Sequence, residues 1–399
     1  MPTHLLLSYD FPPMGGGISR YMGQLARHYP ADSLVVSTGE MDEATPQPPD
    51  AHYVVDRVPV PSGRLRTVPG LLRWSRRASL LARQYHPEFI WCGNLKPAGY
   101  PARWIWERQG IPYGVIVYGG DLLNLQHQIH RSALKARAAK ALLGSTSVIV
   151  AISSYTRDLA ESVLHELELA ADPARLRIVP LGTDPEFFHP GIDPSEVMRR
   201  YQLPEGRWVL TVARLMAHKG VDTGIRAIAE LAELPDVRYL VVGSGKRRAQ
   251  FEALAQELGV ADRVRFLSGV PDADLPALYN VADVYLGASR RTEGSVEGFG
   301  ISLSEASACG VPVIGGRSGG IPDAVREGET GLLVDSENAE DVAAAIRKVL
   351  TTPGLAEALG RAGRAAVESY FNWERVTADL RAIAAEFTRP SSAPPAVRR

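Results

Sequence analysis

Cysteine is almost absent from this chain: Cys92 and Cys309 are the only two in 399 residues. Without paired spacing they exclude a disulfide framework and a thiolate zinc site, and both are expected as buried thiols. Long apolar runs are missing too. Leu5 to Leu7 is soon interrupted by Asp10, no basic stretch precedes it, and no later run is long enough to span a bilayer. No secretory leader or membrane span is therefore expected, and the chain reads as cytoplasmic. A surplus of one charge sign is also lacking, with 44 Lys and Arg against 45 Asp and Glu, which argues against a protein that tracks a nucleic-acid backbone. The histidines, such as His127 and His130, show no metal-ligand arrangement and read as surface residues. What remains is an ordinary globular composition, 45% hydrophobic, at a length that exceeds one core and implies two domains.

Short continuous apolar runs alternate with helical segments from the start. The runs at 5–8, 34–37, 89–92, 113–117, 147–152 and 176–180 fit strands buried on both faces of a parallel sheet. Helical patterns lie between them at 18–28, 70–85, 98–108, 134–143 and 155–169. The alternation pauses around 182–204, where Pro185, Pro190, Pro194 and Pro204 suit an interdomain connection. It resumes with strands expected at 208–213, 237–242, 264–267, 284–286, 311–314 and 331–334. Residues 1–187 and 188–372 are thus expected as two α/β domains of the Rossmann type. A further helix at 373–388 is expected to cross back to the first domain, and 389–399 has too little apolar content to bury and reads as a disordered tail. Open parallel sheets bind ligands beyond the carboxyl ends of their strands, so the loops there are the places to look for chemistry.

One such loop reads Ser295-Val-Glu297-Gly298-Phe299-Gly300-Ile301-Ser-Leu-Ser-Glu305, followed by Gly310-Val-Pro312. Its glycines let a ligand approach the backbone, and the helix opening at Ile301 presents unpaired N–H groups that attract phosphate. Glu305, a turn inside, can accept from two vicinal hydroxyls as a ribose requires. Glu297 lies ahead of the helix, nearer a sugar. Either glutamate alone could be a solvated surface residue, and the pair could be glycosidase carboxylates, but the glycine-rich helix start favours phosphate binding over hydrolysis. A second loop, Val212-Ala-Arg214-Leu-Met-Ala-His-Lys219-Gly220, supplies an Arg fork and a Lys point charge of the kind a diphosphate leaving group needs. A third, Asp10-Phe-Pro-Pro-Met-Gly15-Gly16-Gly17-Ile-Ser-Arg20, exposes backbone N–H groups after the first strand; it lacks the dinucleotide fingerprint and could also be a flexible turn. A fourth, Tyr118-Gly-Gly-Asp121, offers an acid that either binds a hydroxyl or caps a helix.

With these motifs in order, the chain resembles the family 4 glycosyltransferases over nearly its whole length. Two glutamates separated by seven residues are that family's signature, here with Gly298, Gly300, Pro312 and Ser318-Gly-Gly320-Ile-Pro322-Asp323. The resemblance implies the GT-B fold, two Rossmann-like domains facing each other across a cleft. It implies retaining, metal-independent transfer of a hexose-type sugar from a GDP- or UDP-sugar to an acceptor hydroxyl, in polysaccharide or glycolipid synthesis. The nucleotide sugar is a co-substrate and no cofactor is expected. Glu297, Arg214, Lys219 and Asp121 are then the expected catalytic set. Gly16, Gly17, Gly243, Gly245, Val270, Gly298, Phe299, Gly300, Ile301 and Glu305 form the donor side, and Tyr118 stands on the acceptor side. Many family members have a histidine where Tyr118 stands; tyrosine is a poor base near neutral pH. A hydrolysing sugar-nucleotide epimerase and a non-catalytic nucleotide-sugar sensor are the rival readings.

The near-zero net charge conceals a local excess. Residues 51–150 hold fourteen Lys and Arg against four Asp and Glu. Within 64–83, Leu71, Leu72, Trp74, Leu80 and Leu81 alternate with arginines as in a helix lying on an anionic membrane, so peripheral contact at the inner membrane surface, with a lipid-linked glycan or phospholipid as acceptor, is expected there. A solvated helix face is the plainer alternative.

Overall fold

The computed structural model describes residues 3–39, 52–58 and 68–388. The tail expected at 389–399, and 64–67 of the basic segment, lie outside them. The chain divides into two compact units, one running to Val179 and resuming at Trp373, the other Pro180–Asn372.

The first unit is a seven-stranded parallel sheet in the order β3-β2-β1-β4-β5-β6-β7. Its strands are β1 (His4–Leu7), β2 (Leu34–Gly39), β3 (Val54–Val58), β4 (Phe89–Cys92), β5 (Tyr113–Val117), β6 (Val148–Ala151) and β7 (Leu176–Ile178). Its helices are α1 (Gly17–Arg27), α2 (Val68–Tyr85), α3 (Gly99–Gln109), α4 (Gly120–Arg131), α5 (Ala133–Ser145) and α6 (Ser154–Glu166). The apolar runs of β1, β4, β5 and β6 are buried along their whole length, because helices on both faces leave no side of the sheet for water.

The second unit is a six-stranded parallel sheet in the order β10-β9-β8-β11-β12-β13. It comprises α7 (Ser195–Arg200), β8 (Arg207–Val212), α8 (Val221–Ala229), β9 (Val237–Val242), α9 (Arg248–Glu257), β10 (Val264–Leu267), α10 (Leu275–Val281), β11 (Val284–Gly287), α11 (Ile301–Ala308), β12 (Val313–Gly316), α12 (Ile321–Ala324), β13 (Gly331–Val334), α13 (Ala339–Thr351) and α14 (Leu355–Ser369). The last helix, α15 (Trp373–Phe387), returns to the first unit, where Trp373 stacks on Tyr21 of α1 with ring centroids 5.3 Å apart.

Residues 180–187 belong to the second unit and not, as the proline spacing suggested, to the first. Thr183 N–H donates to Phe371 O at 2.9 Å, and the Arg364 guanidinium holds the carbonyls of Pro185 and Phe188 at 2.9 Å each. Both cysteines are free and buried; burial raises each thiol, that of Cys309 to about 12.

In each sheet the strand order reverses once, between β1 and β4 and between β8 and β11. Loops leaving adjacent strands diverge at such a reversal and open a crevice, the usual ligand position in a sheet of this kind.

Candidate active site

In the second unit, the loops after β8 and β11 meet at the reversal. Gly220 lies at φ +68°, and a Cβ there would come 1.8 Å from Ala288 O, so only glycine permits the approach. Arg290 N–H adds a bond to His218 O at 2.8 Å. This contact brings Lys219 onto Glu297: its ammonium donates to Glu297 Oε2, and the two side chains are only 17% and 19% exposed. Burial alone would raise the Glu297 carboxyl, but the charges of Lys219, His218 and Arg214 with the Lys219 hydrogen bond outweigh it and hold the group below its ordinary range. Glu297 is therefore ionised at neutral pH. The Ser318–Asp323 segment supports it from behind, Gly320 N–H donating to Glu297 O at 2.9 Å.

A small pocket opens between these loops, lined by Ala213, Lys219, Ser289, Glu297, Gly300 and Ser302 among others. Gly300 caps α11, so the first N–H groups of that helix point outward with the positive end of its dipole. Gly298 sits between Glu297 and that cap; Phe299 is turned into the core, 1% exposed, with its ring 5.9 Å from Phe371. Arg214 is exposed and, among the described residues, makes no side-chain hydrogen bond or ion pair. The loop after β9 lies directly on its loop: Leu215 N–H donates to Ser244 O at 2.9 Å, and a Cβ on Gly243 would sit 2.0 Å from Ala213 O. Gly245 continues this close approach against Leu215, and Val270 is half-buried beyond β10.

Glu305 is placed differently from its partner glutamate. It lies on the buried side of α11, 2% exposed, and its Oε2 accepts from Tyr279 Oη at 2.6 Å. Burial first, then the Glu305 charge, raises the Tyr279 phenol well above 10, so it stays a donor. No sequence signal marked Tyr279.

In the first unit, the loops after β1, β4 and β5 gather Asp10, Asn94, Tyr118 and Asp121. Asn94 Nδ2 donates to Asp10 Oδ2 at 3.0 Å. Asp121 Oδ1 accepts from the N–H groups of Tyr118 at 2.9 Å and Leu122 at 3.0 Å, so one carboxylate oxygen acts as a cap near the start of α4. Asp121 Oδ2 and Asn94 Oδ1 are buried without a hydrogen-bond partner. Burial, against the bonds from Tyr118 and Leu122, raises the Asp121 carboxyl. Gly16 caps α1 at φ +125°, and it and Gly17 are exposed with open space around them. Asn94 was missed, although its position after β4 is a signal of the same kind as that of Asp121.

The basic helix needs one correction. Trp74 and Leu81, counted with the apolar side of an interfacial helix, are buried at 0% and 3%, and Trp74 Nε1 donates to Ser37 Oγ at 3.0 Å. The sheet already uses that side of α2. Its outer face carries Arg73, Arg76, Arg77, Leu80 and Arg83, with Arg77 tied to Asp56. No helix among the described residues is long and apolar enough to cross a membrane, and none of their His, Cys, Asp and Glu groups is arranged to hold a metal ion.

Residues 195–366 match the model of the glycosyl transferases group 1, and 15–187 that of Glycosyltransferase Family 4. A GDP-mannose-dependent alpha-(1-6)-phosphatidylinositol monomannoside mannosyltransferase of Mycolicibacterium smegmatis is 34% identical over 90% of this chain and 92% of its own length. A D-inositol 3-phosphate glycosyltransferase of Acidothermus cellulolyticus is 36% identical over 63% of this chain and 59% of its own. The structure of a sucrose-phosphate synthase from Thermosynechococcus elongatus superposes with a TM-score of 0.77 at 24% identity, covering 96% of this chain and 98% of that one, which bears on the fold alone. With both sheets, the glutamate pair and a full-length relative in agreement, the chain belongs to glycosyltransferase family 4 and is a glycosyltransferase of the GT-B fold.

Proposed function

We propose that this chain transfers mannose from GDP-mannose to a hydroxyl of an inositol-bearing phospholipid, with retention at the anomeric carbon and without a metal ion. The observation that carries the choice of substrates is the mycobacterial relative, aligned over nine-tenths of both chains and named for that donor and that lipid class.

The second unit supplies the donor set. Arg214 and Lys219 hold the diphosphate, and the amino end of α11 at Gly300 and Ile301 adds N–H donors where negative charge grows on the leaving group. Glu297 orients the sugar. Glu305, with Oε2 already fixed by Tyr279, takes the ribose, while Gly243, Gly245 and Val270 border the base. In the first unit, Asp10, Asn94 and Asp121 take acceptor hydroxyls. The bond from the anomeric carbon to the diphosphate oxygen breaks as the acceptor oxygen bonds on the same face, and the acceptor proton passes to the departing phosphate. Arg73, Arg76 and Arg83 on α2 rest on anionic lipid headgroups around the acceptor.

The shorter match to an inositol-phosphate enzyme favours a second reading in which the acceptor is a soluble inositol phosphate. Mass-spectrometric product analysis with GDP-mannose and UDP-glucose against phosphatidylinositol liposomes, mannosylated phosphatidylinositol and inositol 3-phosphate separates the two. Mannosyl lipid from GDP-mannose alone supports the proposal. Product on inositol 3-phosphate alone replaces it with the second reading, and hydrolysis without transfer to any acceptor sinks both. Flotation with anionic liposomes tests the membrane contact, which fails if Arg73, Arg76 and Arg83 changed together to Glu leave binding intact.

A further inference from the structure

Tyr118 follows β5 where the family often has histidine, and no step above uses its phenol. Its ring meets Tyr21 edge-on at 6.0 Å, and Tyr21 in turn is stacked on Trp373. Thus α1 and α15 together fix the ring. From that position the hydroxyl donates to Gly93 O at 2.8 Å. Burial, then Tyr21, Asp121 and Asp10, raise the phenol well above 10, so the group keeps its proton and is no base at neutral pH.

Gly93 is constrained from the other side as well. Its N–H donates to Leu7 O at 2.9 Å, and a Cβ there would lie 2.5 Å from Met22 Sδ and 2.6 Å from Ser8 Oγ. The peptide unit after it carries Asn94, 6% exposed, whose amide N–H holds Asp10 and whose Oδ1 is buried and unpaired. The Asp10 loop is pinned by Ser8 Oγ donating to Asp10 O at 2.8 Å. A carboxyl group and an unpaired amide oxygen side by side offer hydrogen-bond acceptors, and a polyol presents donors in just such adjacent pairs.

We infer that Tyr118 is a positioning residue for a polyol acceptor: its hydroxyl sets the Gly93 carbonyl, and through it the Asn94–Asp10 pair that receives the acceptor's hydroxyls. The inference rests on the transferase reading of the same site. On this account the missing histidine is not a lost base. The side chain at that position works on geometry one loop away.

Tyr118→Phe keeps the ring contacts and deletes the one hydrogen bond. The acceptor KM is expected to rise about fivefold to tenfold, the worth of a net hydrogen bond, with kcat and the donor KM within about twofold of the parent. Adding Tyr118→Phe to Asn94→Ala produces no further rise, because the effect passes through Asn94. Amide exchange across 93–98 in the ligand-free protein accelerates in Tyr118→Phe, and the exchange of β1 does not. An unchanged acceptor KM, additive losses in the double variant, or unchanged exchange at 93–98 overturns the inference. So does a fall in kcat with an altered pH profile, since that puts the phenol in the chemistry. A parent chain that transfers to no acceptor refutes the activity and not this inference, which the exchange comparison then decides.

Discussion

Replacing Lys219 with methionine keeps the reach of the side chain and removes its charge, which strands the Glu297 carboxylate in the pocket. Removing one partner of a fully buried pair costs ~3–5 kcal/mol, and fully exposed pairs are worth under ~1 kcal/mol. With the two side chains 17% and 19% exposed, this pair falls between, and Lys219→Met should destabilise the second unit by ~2 kcal/mol. Adding Glu297→Gln removes the stranded charge, so the double variant should return to within ~1 kcal/mol of the parent. Urea unfolding gives the stabilities, with the two units allowed separate transitions. Turnover should behave in the opposite way. Both variants lose about a hundredfold or more, because a cation and an oriented sugar are still missing when stability is restored. Arg214 provides the contrast: exposed and without a side-chain partner among the described residues, it can be changed to Ala within ~0.5 kcal/mol of parent stability while turnover falls by a similar hundredfold. A double variant as unstable as Lys219→Met, or a Lys219→Met protein retaining more than about a tenth of its turnover, would refute the reasoning.

Two further outcomes follow from buried groups. Tyr279→Phe leaves Glu305 without its 2.6 Å donor and should cost ~1.5–3 kcal/mol, with weaker GDP binding by calorimetry; unaltered affinity would separate Glu305 from the nucleotide. His4 is 5% exposed, and burial followed by the nearby Arg381 charge lowers its imidazole from 6.5 to about 4. The unfolded chain takes up this proton near pH 6.5 and the folded chain only near 4, so the neutral ring's contribution is whole above 6.5 and lost as pH falls between them. At about 1.4 kcal/mol per pH unit the loss is ~3 kcal/mol, and His4→Gln should flatten that limb of urea midpoints against pH.

The fold was legible where strands are buried on both faces, because β4, β5, β6 and most of β1 and β11 then appear as apolar runs. At the edge strand β3 that signal fails. β3 reads VVDRV, and its Asp56 and Arg57 point to partners, Arg77 and Pro12 O, that the sequence does not place beside it. α4 was not among the helical patterns read from the sequence, where only the helix cap offered by Asp121 pointed to it. The glycine-and-glutamate loop was legible because its chemistry is local, six or eight residues setting both the helix start and the carboxylates. Tyr279 with Glu305 and Asn94 with Asp10 were not, since the pairs are 26 and 84 residues apart and meet only through the parallel crossovers.

The return of α15 to the first unit has a consequence for biogenesis. The chain leaves that unit at Val179 and re-enters it at Trp373, so on the ribosome the face of α1 carrying Tyr21, fully buried in the finished protein, waits for a segment synthesised after the entire second unit. The second unit is uninterrupted in sequence and can complete itself first. Once it has, its own compactness brings the two crossing points together and shortens the loop that α15 must close. Vectorial synthesis therefore makes the second unit a template for finishing the first, and a nascent chain stopped before Trp373 would present an apolar strip to chaperones while already holding a formed second sheet.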